Sequence, residues 1–399
     1  MHETTESEVR TSALTRRNRS RLGIVGGGQL ARMTAMAALE LGCEVFVLER
    51  NSLSPAMSLA HRALVGDWDR AEDLLALATL ADAVTLENEF IDAAKLALLE
   101  ERGHHLRPGA ATIALVQDKL TQKETLSAAG LPVSPFRAAS SPDEVVAIAR
   151  EFGWPLVLKA RRNGYDGKGN ATLRDPSDVE AAWQRLGGDE GRALYVEAYC
   201  PFATELAVII TRTRDGSVAT YPLVETVQRD HICHVVRAPA AVSGTIAGRA
   251  VDVAERAVAA VGAVGSFGVE MFLTAEGEVT INELAPRVHN SGHYTLDACV
   301  CSQFENHVRA VFDWPLGSPA MREPAAVMIN LLGARRGPGH VTGLERALAV
   351  PGAHVHIYGK ATSHPGRKLG HVTAVGATVA EAEALARRCA DEIQFGSEE

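Results

Sequence analysis

The segment that most restricts what this chain can fold into is Trp154–Asn170, WPLVLKARRNGYDGKGN. An apolar run, Pro155–Lys159, enters a loop holding Gly164, Gly167 and Gly169, and a second strand-like run follows at Asn170–Leu173. Two short strands joined in this way predict a hairpin. The glycines let the loop backbone turn its N–H groups inward, and Lys159 and Lys168 add positive charge, so the loop suits a polyphosphate. GxxxxGK[ST] opening a helix is absent, which excludes a P-loop. A merely flexible hairpin would leave two lysines and the adjacent Tyr165-Asp166 without a role.

Upstream, the pattern from Leu22 reads strand, Gly26-Gly27-Gly28 turn, helix Gln29–Leu41 and strand Glu44–Glu49. Short strands at Ala63–Asp67 and Ala83–Glu87 flank a helix at Arg70–Leu80. This alternation predicts a Rossmann-like α/β domain over residues 22–115. Gly26-x-Gly28-x-x-Ala31 with Glu49 also fits a relaxed dinucleotide fingerprint, whose helix-start amides can hold a phosphate. Alone, the motif is equally compatible with a tight turn that binds nothing.

Downstream, helices at Gln117–Ala129, Pro142–Phe152 and Asp178–Leu186, the glycine hairpin and strand Leu194–Glu197 predict a small α+β lid over about 140–200. Strands at Glu205–Arg212, Val218–Val227, Ile232–Ala238, Gly268–Leu273 and Val279–Leu284, with helix Ala247–Val261, predict a larger antiparallel unit over about 201–325. A helix at Gln303–Phe312 precedes a small C-terminal domain over 326–399 with strands of its own. Several cores are expected of 399 residues. Residues 1–21 are polar and arginine-rich, which predicts a frayed, disordered tail rather than a signal peptide or membrane span.

A formal charge of -9 argues against a nucleic-acid partner. The six cysteines are scattered without a CxxC pair, which predicts reduced thiols and a cytoplasmic protein.

The chemistry concentrates in FGVEMFLTAEGEVTINELAPRVHNSGHYT, Phe267–Thr295. This reads as a hairpin with Glu270 on one strand and Asn282-Glu283 on the other. Carboxylates facing each other across adjacent strands repel unless a cation lies between them. Magnesium held by one or two carboxylates plus nucleotide phosphates answers that need. Arg287, His289, Asn290, Ser291 and His293 follow, a composition foreign to a core and suited to an anion. Glu197 and Glu205, at the end of one strand and the start of the next, suit an adenine edge and a ribose. His231 and His234 read as ordinary strand residues facing opposite sides.

Together, Lys159, NGYDGKG, Glu197 with Glu205, and Glu270 with Asn282-Glu283 resemble the ATP-grasp superfamily. GGGQLARM, QDKLTQK, APRVHNSGHYT and PGRKLGH resemble its 5-(carboxyamino)imidazole ribonucleotide synthase family from residue 22 to about 390. The resemblance implies an ATP-grasp fold with a Rossmann-like N-terminal domain and a small C-terminal domain. It implies a ligase of purine biosynthesis that carboxylates aminoimidazole ribonucleotide with ATP and bicarbonate. Magnesium, with manganese as an alternative, no biotin, and a homodimer are also implied.

Carried over, Arg107, Lys159, Gly164, Tyr165, Asp166, Gly167, Lys168, Gly169, Asn170, Glu197, Ala198, Tyr199, Cys200, Glu205, Gln228, Asn282 and Glu283 would hold ATP. Glu270 and Glu283 would ligate the metal. Gly28, Gln29, Leu30, Tyr165, Asp166, Lys360, Arg367 and Lys368 would receive the aminoimidazole nucleotide. Arg287, His289, Asn290, Ser291 and Lys168 would act on the bicarbonate-derived anion. Val288, Gln228 and His364 depart from the family's proline, histidine and arginine. The rival from another class, a nicotinamide-dependent oxidoreductase, rests on Gly26–Ala31 and Glu49 alone. Other ATP-grasp enzymes, using formate or a biotinylated partner, are the nearer rivals.

Overall fold

A computed structural model describes residues 19–164 and 169–396. Tyr165, Asp166, Gly167 and Lys168, and the tail before residue 19, lie outside the described residues.

The alternation upstream becomes β1 (Arg21–Val25), α1 (Gln29–Glu40), β2 (Glu44–Glu49), β3 (Arg62–Val65), α2 (Ala71–Leu80) and β4 (Ala83–Leu86). The four strands form a parallel sheet in the order β3-β2-β1-β4. Two further helices, α3 (Ala93–Glu101) and α4 (Ala110–Gln117), were not anticipated. The helix expected at Gln117–Ala129 is α5 (Lys119–Ala128), separated from α4 by Asp118. That carboxylate accepts from the Leu120 and Thr121 amides and so caps α5. It also pairs with Arg161 at 2.7 Å, while the Lys119 amide donates to the Arg161 carbonyl at 2.8 Å. The root of the glycine hairpin is thus tied to the start of α5.

The lid holds β5 (Phe136–Ala139), α6 (Pro142–Phe152), β6 (Leu156–Ala160), β7 (Asn170–Leu173), α7 (Val179–Arg185) and β8 (Leu194–Ala198). Its strands pair antiparallel in the order β5-β8-β6-β7, and Trp183, Leu156, Leu158 and Val196 lie at its buried centre.

The third unit contains β9 (Phe202–Arg212), β10 (Val218–Thr220), β11 (Val224–Arg229), β12 (Ile232–Ala238), α8 (Gly244–Ala260), β13 (Gly265–Thr274) and β14 (Val279–Ala285). The single strand expected over Val218–Val227 is two, because Tyr221-Pro222-Leu223 leaves the ladder; proline has no N–H to donate. His231 lies in the turn between β11 and β12 with φ 60°, not in a strand as expected. The amphipathic α8 lays Ala250, Val253, Ala254, Ala257 and Val258 on the sheet, spaced at three and four residues.

Beyond α9 (Thr295–Ala298) and α10 (Gln303–Val311) come β15 (Ala325–Leu332), the short β16 (Gly337–Pro338) and β17 (Val341–Thr342), and α11 (Leu344–Leu348). The chain continues with β18 (Ala353–Ile357), β19 (Thr362–Ser363), β20 (Lys368–Gly376) and α12 (Val379–Ala390). The long C-terminal strands build no separate sheet. They extend the central one, which runs β14-β13-β9-β11-β12-β15-β20-β18.

α10 joins this sheet to the N-terminal domain, Val308 and Val311 packing with Leu22, Ala31 and Val47. Its His307 accepts from the Ser266 amide at 3.0 Å through Nδ1, leaving Nε2–H for Thr85 Oγ1 at 2.7 Å. Burial pushes this imidazole down to about 4, so it stays neutral.

Asp118→Ala should lower stability by about 1–2 kcal/mol through the lost cap. Asp118→Asn, whose amide oxygen still accepts, should cost less; denaturant midpoints of both variants check this.

Candidate active site

The site lies where the ends of β13 and β14 meet the lid and the N-terminal domain. Glu270 and Glu283 are directly opposed in the β13–β14 register, with a bulge immediately after Glu270. Burial first, and then the neighbouring Glu283 and Glu205 charges, push the Glu270 carboxyl well above the ordinary carboxylate range. A carboxylate pair that resists ionisation together is short of positive charge, which fits the residues to a divalent cation.

Part of that charge comes from the protein. Lys119, at the first turn of α5, sits 3.0 Å from Glu283. Burial opposes its charge, but Glu283 and Glu89 outweigh it and raise its pKa. Four residues on, at the spacing that puts both on one helix face, Lys123 is buried. Its ammonium donates to the Ile281 carbonyl at 3.0 Å and lies 3.4 Å from Glu197.

Glu197 is therefore not the open carboxylate its strand-end position suggested. It is buried and accepts from Lys159 at 3.0 Å and Tyr195 at 2.7 Å. Burial alone would raise its pKa, but the two lysines and the phenol hold it down at about 2. Its side chain serves as counter-ion to Lys159, whose ammonium also reaches Asn282 Oδ1 at 3.4 Å. Desolvation meanwhile brings Lys123 down to about 8. Glu205 is shifted upward by burial, offset by a hydrogen bond from Gln228.

The segment after β14 supplies the polar face. Arg287 makes a two-point ion pair with Glu89, with Nε 2.6 Å from the carboxylate. His289 Nδ1 accepts from the Ser291 amide at 3.4 Å and lies 2.9 Å from Ser291 Oγ. That network leaves Nε2–H directed at Glu270, 3.3 Å away. Burial, reinforced by Arg287 and Lys368, lowers the His289 pKa to about 3, so the ring is neutral. Asn290 is committed to Asn330 on β15 through a pair of amide hydrogen bonds. Val288 is buried beside Leu30, Met33, Phe304 and Tyr358 and does apolar packing.

On the N-terminal side, the helix-start amides of α1 are already occupied. Gly27 N–H donates to Glu49 at 2.7 Å, Gly28 N–H to Glu87 at 2.5 Å and Leu30 N–H to Glu87 at 3.2 Å. A Cβ on Gly28 would lie 2.3 Å from Glu87 Oε1, so glycine lets the Glu87 carboxylate come this close, and a larger residue would displace it. With its own carboxylates in the anion seat, the turn does not serve a dinucleotide pyrophosphate, and the oxidoreductase reading loses its footing. Lys360 faces this region, its ammonium 5.9 Å from the Tyr358 ring centre and its charge felt at Glu87. Arg367 donates to the Thr362 carbonyl at 3.0 Å. Arg107, half-buried before α4, donates to the Leu106 carbonyl at 2.8 Å, and among the described residues its buried Nε has no hydrogen-bond partner.

Residues 19–117 match the ribonucleotide synthetase preATP-grasp domain, 124–304 the ATP-grasp domain, and 326–385 the phosphoribosylaminoimidazole carboxylase C-terminal domain. Over 353 residues the chain is 42% identical to N5-carboxyaminoimidazole ribonucleotide synthase of Synechococcus elongatus, covering 88% of each. The chain belongs to the N5-carboxyaminoimidazole ribonucleotide synthase family. The synthetase of Thermotoga maritima superposes with a TM-score of 0.85 at 38% identity, covering 95% of this chain and 100% of that one. The Aspergillus clavatus synthase in complex with ADP and 5-aminoimidazole ribonucleotide does so with 0.85 at 36%, covering 94% and 98%. The chloroplastic phosphoribosylaminoimidazole carboxylase of Vigna aconitifolia is longer; the 40% identity spans 91% of this chain and 65% of that protein.

In this N5-carboxyaminoimidazole ribonucleotide synthase family member, Glu87, Glu89, Lys119 and Lys123 escaped the sequence reading. Glu87 and Glu89 follow β4 directly, at the carboxyl edge of a parallel sheet where α/β proteins place ligands. That position was the available signal. The two lysines lie in QDKLTQK at helical spacing.

Because the native Glu270 pKa stands above the ordinary glutamate value of about 4.3, the folded state holds a proton that the unfolded chain releases. The ligand-free protein should therefore lose stability as pH rises from that value toward the raised one. Glu270→Gln should flatten this slope, as unfolding midpoints measured across the range will reveal.

Proposed function

We propose that the assembled site carries out the family's reaction, ATP- and bicarbonate-dependent carboxylation of 5-aminoimidazole ribonucleotide to N5-carboxyaminoimidazole ribonucleotide. The observation that carries this reading is the opposed Glu270/Glu283 pair, with Lys119 against Glu283, neutral His289 against Glu270 and Lys159 against the neighbouring Asn282.

Bicarbonate is a poor electrophile. An oxygen of it attacks the γ-phosphorus of ATP, the bond to ADP breaks, and carboxyphosphate forms. The nucleotide's amine then attacks the carboxyl carbon, or CO2 released from it, phosphate departs, and the nitrogen gives up a proton. Charge builds on the transferred phosphoryl group, so fixed positive groups are what the protein must supply. Lys159, pinned by Glu197, is assigned to the ATP phosphates. Glu270 and Glu283 would hold magnesium, with Asn282 beside them; the ion would offset phosphate charge. Manganese is the expected substitute, and the reading requires no biotin.

Arg287 and His289 face the same space from the far side. Arg287, held by Glu89, offers fixed charge to an anion, while His289 offers a hydrogen bond without adding charge. Gly28, Gln29, Leu30, Lys360, Arg367 and Lys368 are assigned to the aminoimidazole nucleotide, with Tyr165 and Asp166 from the loop. Carboxyphosphate hydrolyses readily, so the glycine hairpin is assigned the closing movement that excludes water. A cytoplasmic homodimer acting on small molecules is the expected setting, and the charge of -9 supports that partner class.

The test is phosphate release from ATP with bicarbonate, with and without aminoimidazole ribonucleotide. Glu283→Gln should abolish the bicarbonate-stimulated release while leaving the thermal unfolding profile near that of the parent; undiminished turnover would defeat the metal assignment. Lys360→Ala should raise KM for the aminoimidazole nucleotide far more than KM for ATP. Equal effects on the two constants would remove Lys360 from the nucleotide's site.

A further inference from the structure

Gln303, the first residue of α10, is buried, and its side-chain amide lies flat against the main chain of His289. Its Oε1 accepts from the His289 N–H at 2.9 Å and its Nε2 donates to the His289 carbonyl at 2.7 Å. One side chain thus reaches both backbone groups of the residue whose ring points at Glu270; the carbonyl also accepts from the Gly292 N–H at 3.0 Å, whereas Gln303 is the partner of the amide. The surroundings leave it no other pose. Its own N–H donates to Thr295 Oγ1 at 3.0 Å, and its carbonyl accepts from Ser266 Oγ at 2.9 Å. A Cβ on Gly292 would come within 2.6 Å of the amide, so that glycine keeps the space open. Gly268 does the same beneath the His289 ring, where a Cβ would also meet atoms at 2.6 Å.

We infer that Gln303 is a positioning residue: it fixes the His289 main chain, and through it the anion-facing loop Arg287–Ser291. This rests on the proposed carboxylation for its catalytic meaning but not for its geometry. Buried backbone groups need partners, and no water is required when one amide meets both. A misplacement of about 1 Å near reacting groups can cost about a hundredfold in rate. A glutamine that locks this loop therefore governs bicarbonate use without touching bicarbonate.

Two variants test it. Gln303→Met keeps the volume and removes both hydrogen bonds to His289, together with the 3.4 Å contact of Nε2 with His293 Nδ1. Its kcat/KM for bicarbonate should fall by about tenfold to a hundredfold, while KM for ATP stays within about twofold. Gln303→Glu reproduces the pattern only when protonated, since the acid O–H then donates to the carbonyl. Burial raises the pKa of such a group, so this variant should work at low pH and lose activity as pH rises through that value, a limb the parent lacks. Amide hydrogen exchange at His289, read on the same proteins, should accelerate in Gln303→Met whether or not the assay registers turnover. If the parent shows no bicarbonate-stimulated phosphate release, the functional reading falls and the exchange data still decide the clamp. Unchanged exchange at His289, a parental pH profile in Gln303→Glu, or equal loss in every kinetic constant would overturn the positioning role.

Discussion

Two carboxyl groups held in register across a β-ladder, which cannot both ionise without a cation, organise this molecule. Glu270 and Glu283 stand opposite each other on β13 and β14, and neither strand can slip to relieve them. The ladder to β9 on one side, and the Gln122 side chain bridging the Leu284 backbone on the other, fix the register. The surrounding residues answer that charge: Lys119 against Glu283, the neutral His289 against Glu270, and Lys159 beyond Asn282. Each cation is in turn balanced, Lys159 by Glu197 and Arg287 by Glu89. Buried charge on this scale stabilises a fold weakly, so its persistence is better understood as preparation for an ionic ligand.

The N-terminal domain illustrates how a familiar element is turned to other use. Its helix start has the open amides and glycine turn of a phosphate seat. Glu49 and Glu87 fill those amides with the protein's own carboxylates. The turn's main-chain donors are thus committed within the protein, and Glu87 feels the Lys360 charge.

Much of this was legible in the residues. The strand–loop–strand pattern around Lys159, the hairpin carrying Glu270 and Glu283, and the α/β alternation after Leu22 are local, and each is visible in period and spacing. What escaped depends on tertiary placement. Glu197 reads as a free strand-end carboxylate until Lys123, from a helix 74 positions earlier by its numbering, is found against it. The break at Pro222, by contrast, was within reach, since a proline inside a strand run is a local signal and both halves pair with the same β9. The Asp118 boundary between α4 and α5 was within reach, since aspartate before a helical run is a capping signal.

The seamless join of β12 to β15 carries a mechanical implication. Lys368 lies on β20, and Lys360 and Arg367 in the connection leading to it; β20 is laced through β15 and β12 into the same slab as Glu270. The strand that bears Lys368 and the strands that bear the acidic pair therefore belong to one continuous ladder, whose spacing changes only if inter-strand hydrogen bonds break. The four lid strands form a sheet of their own, so this ladder does not itself fix how far the lid stands from the acidic pair.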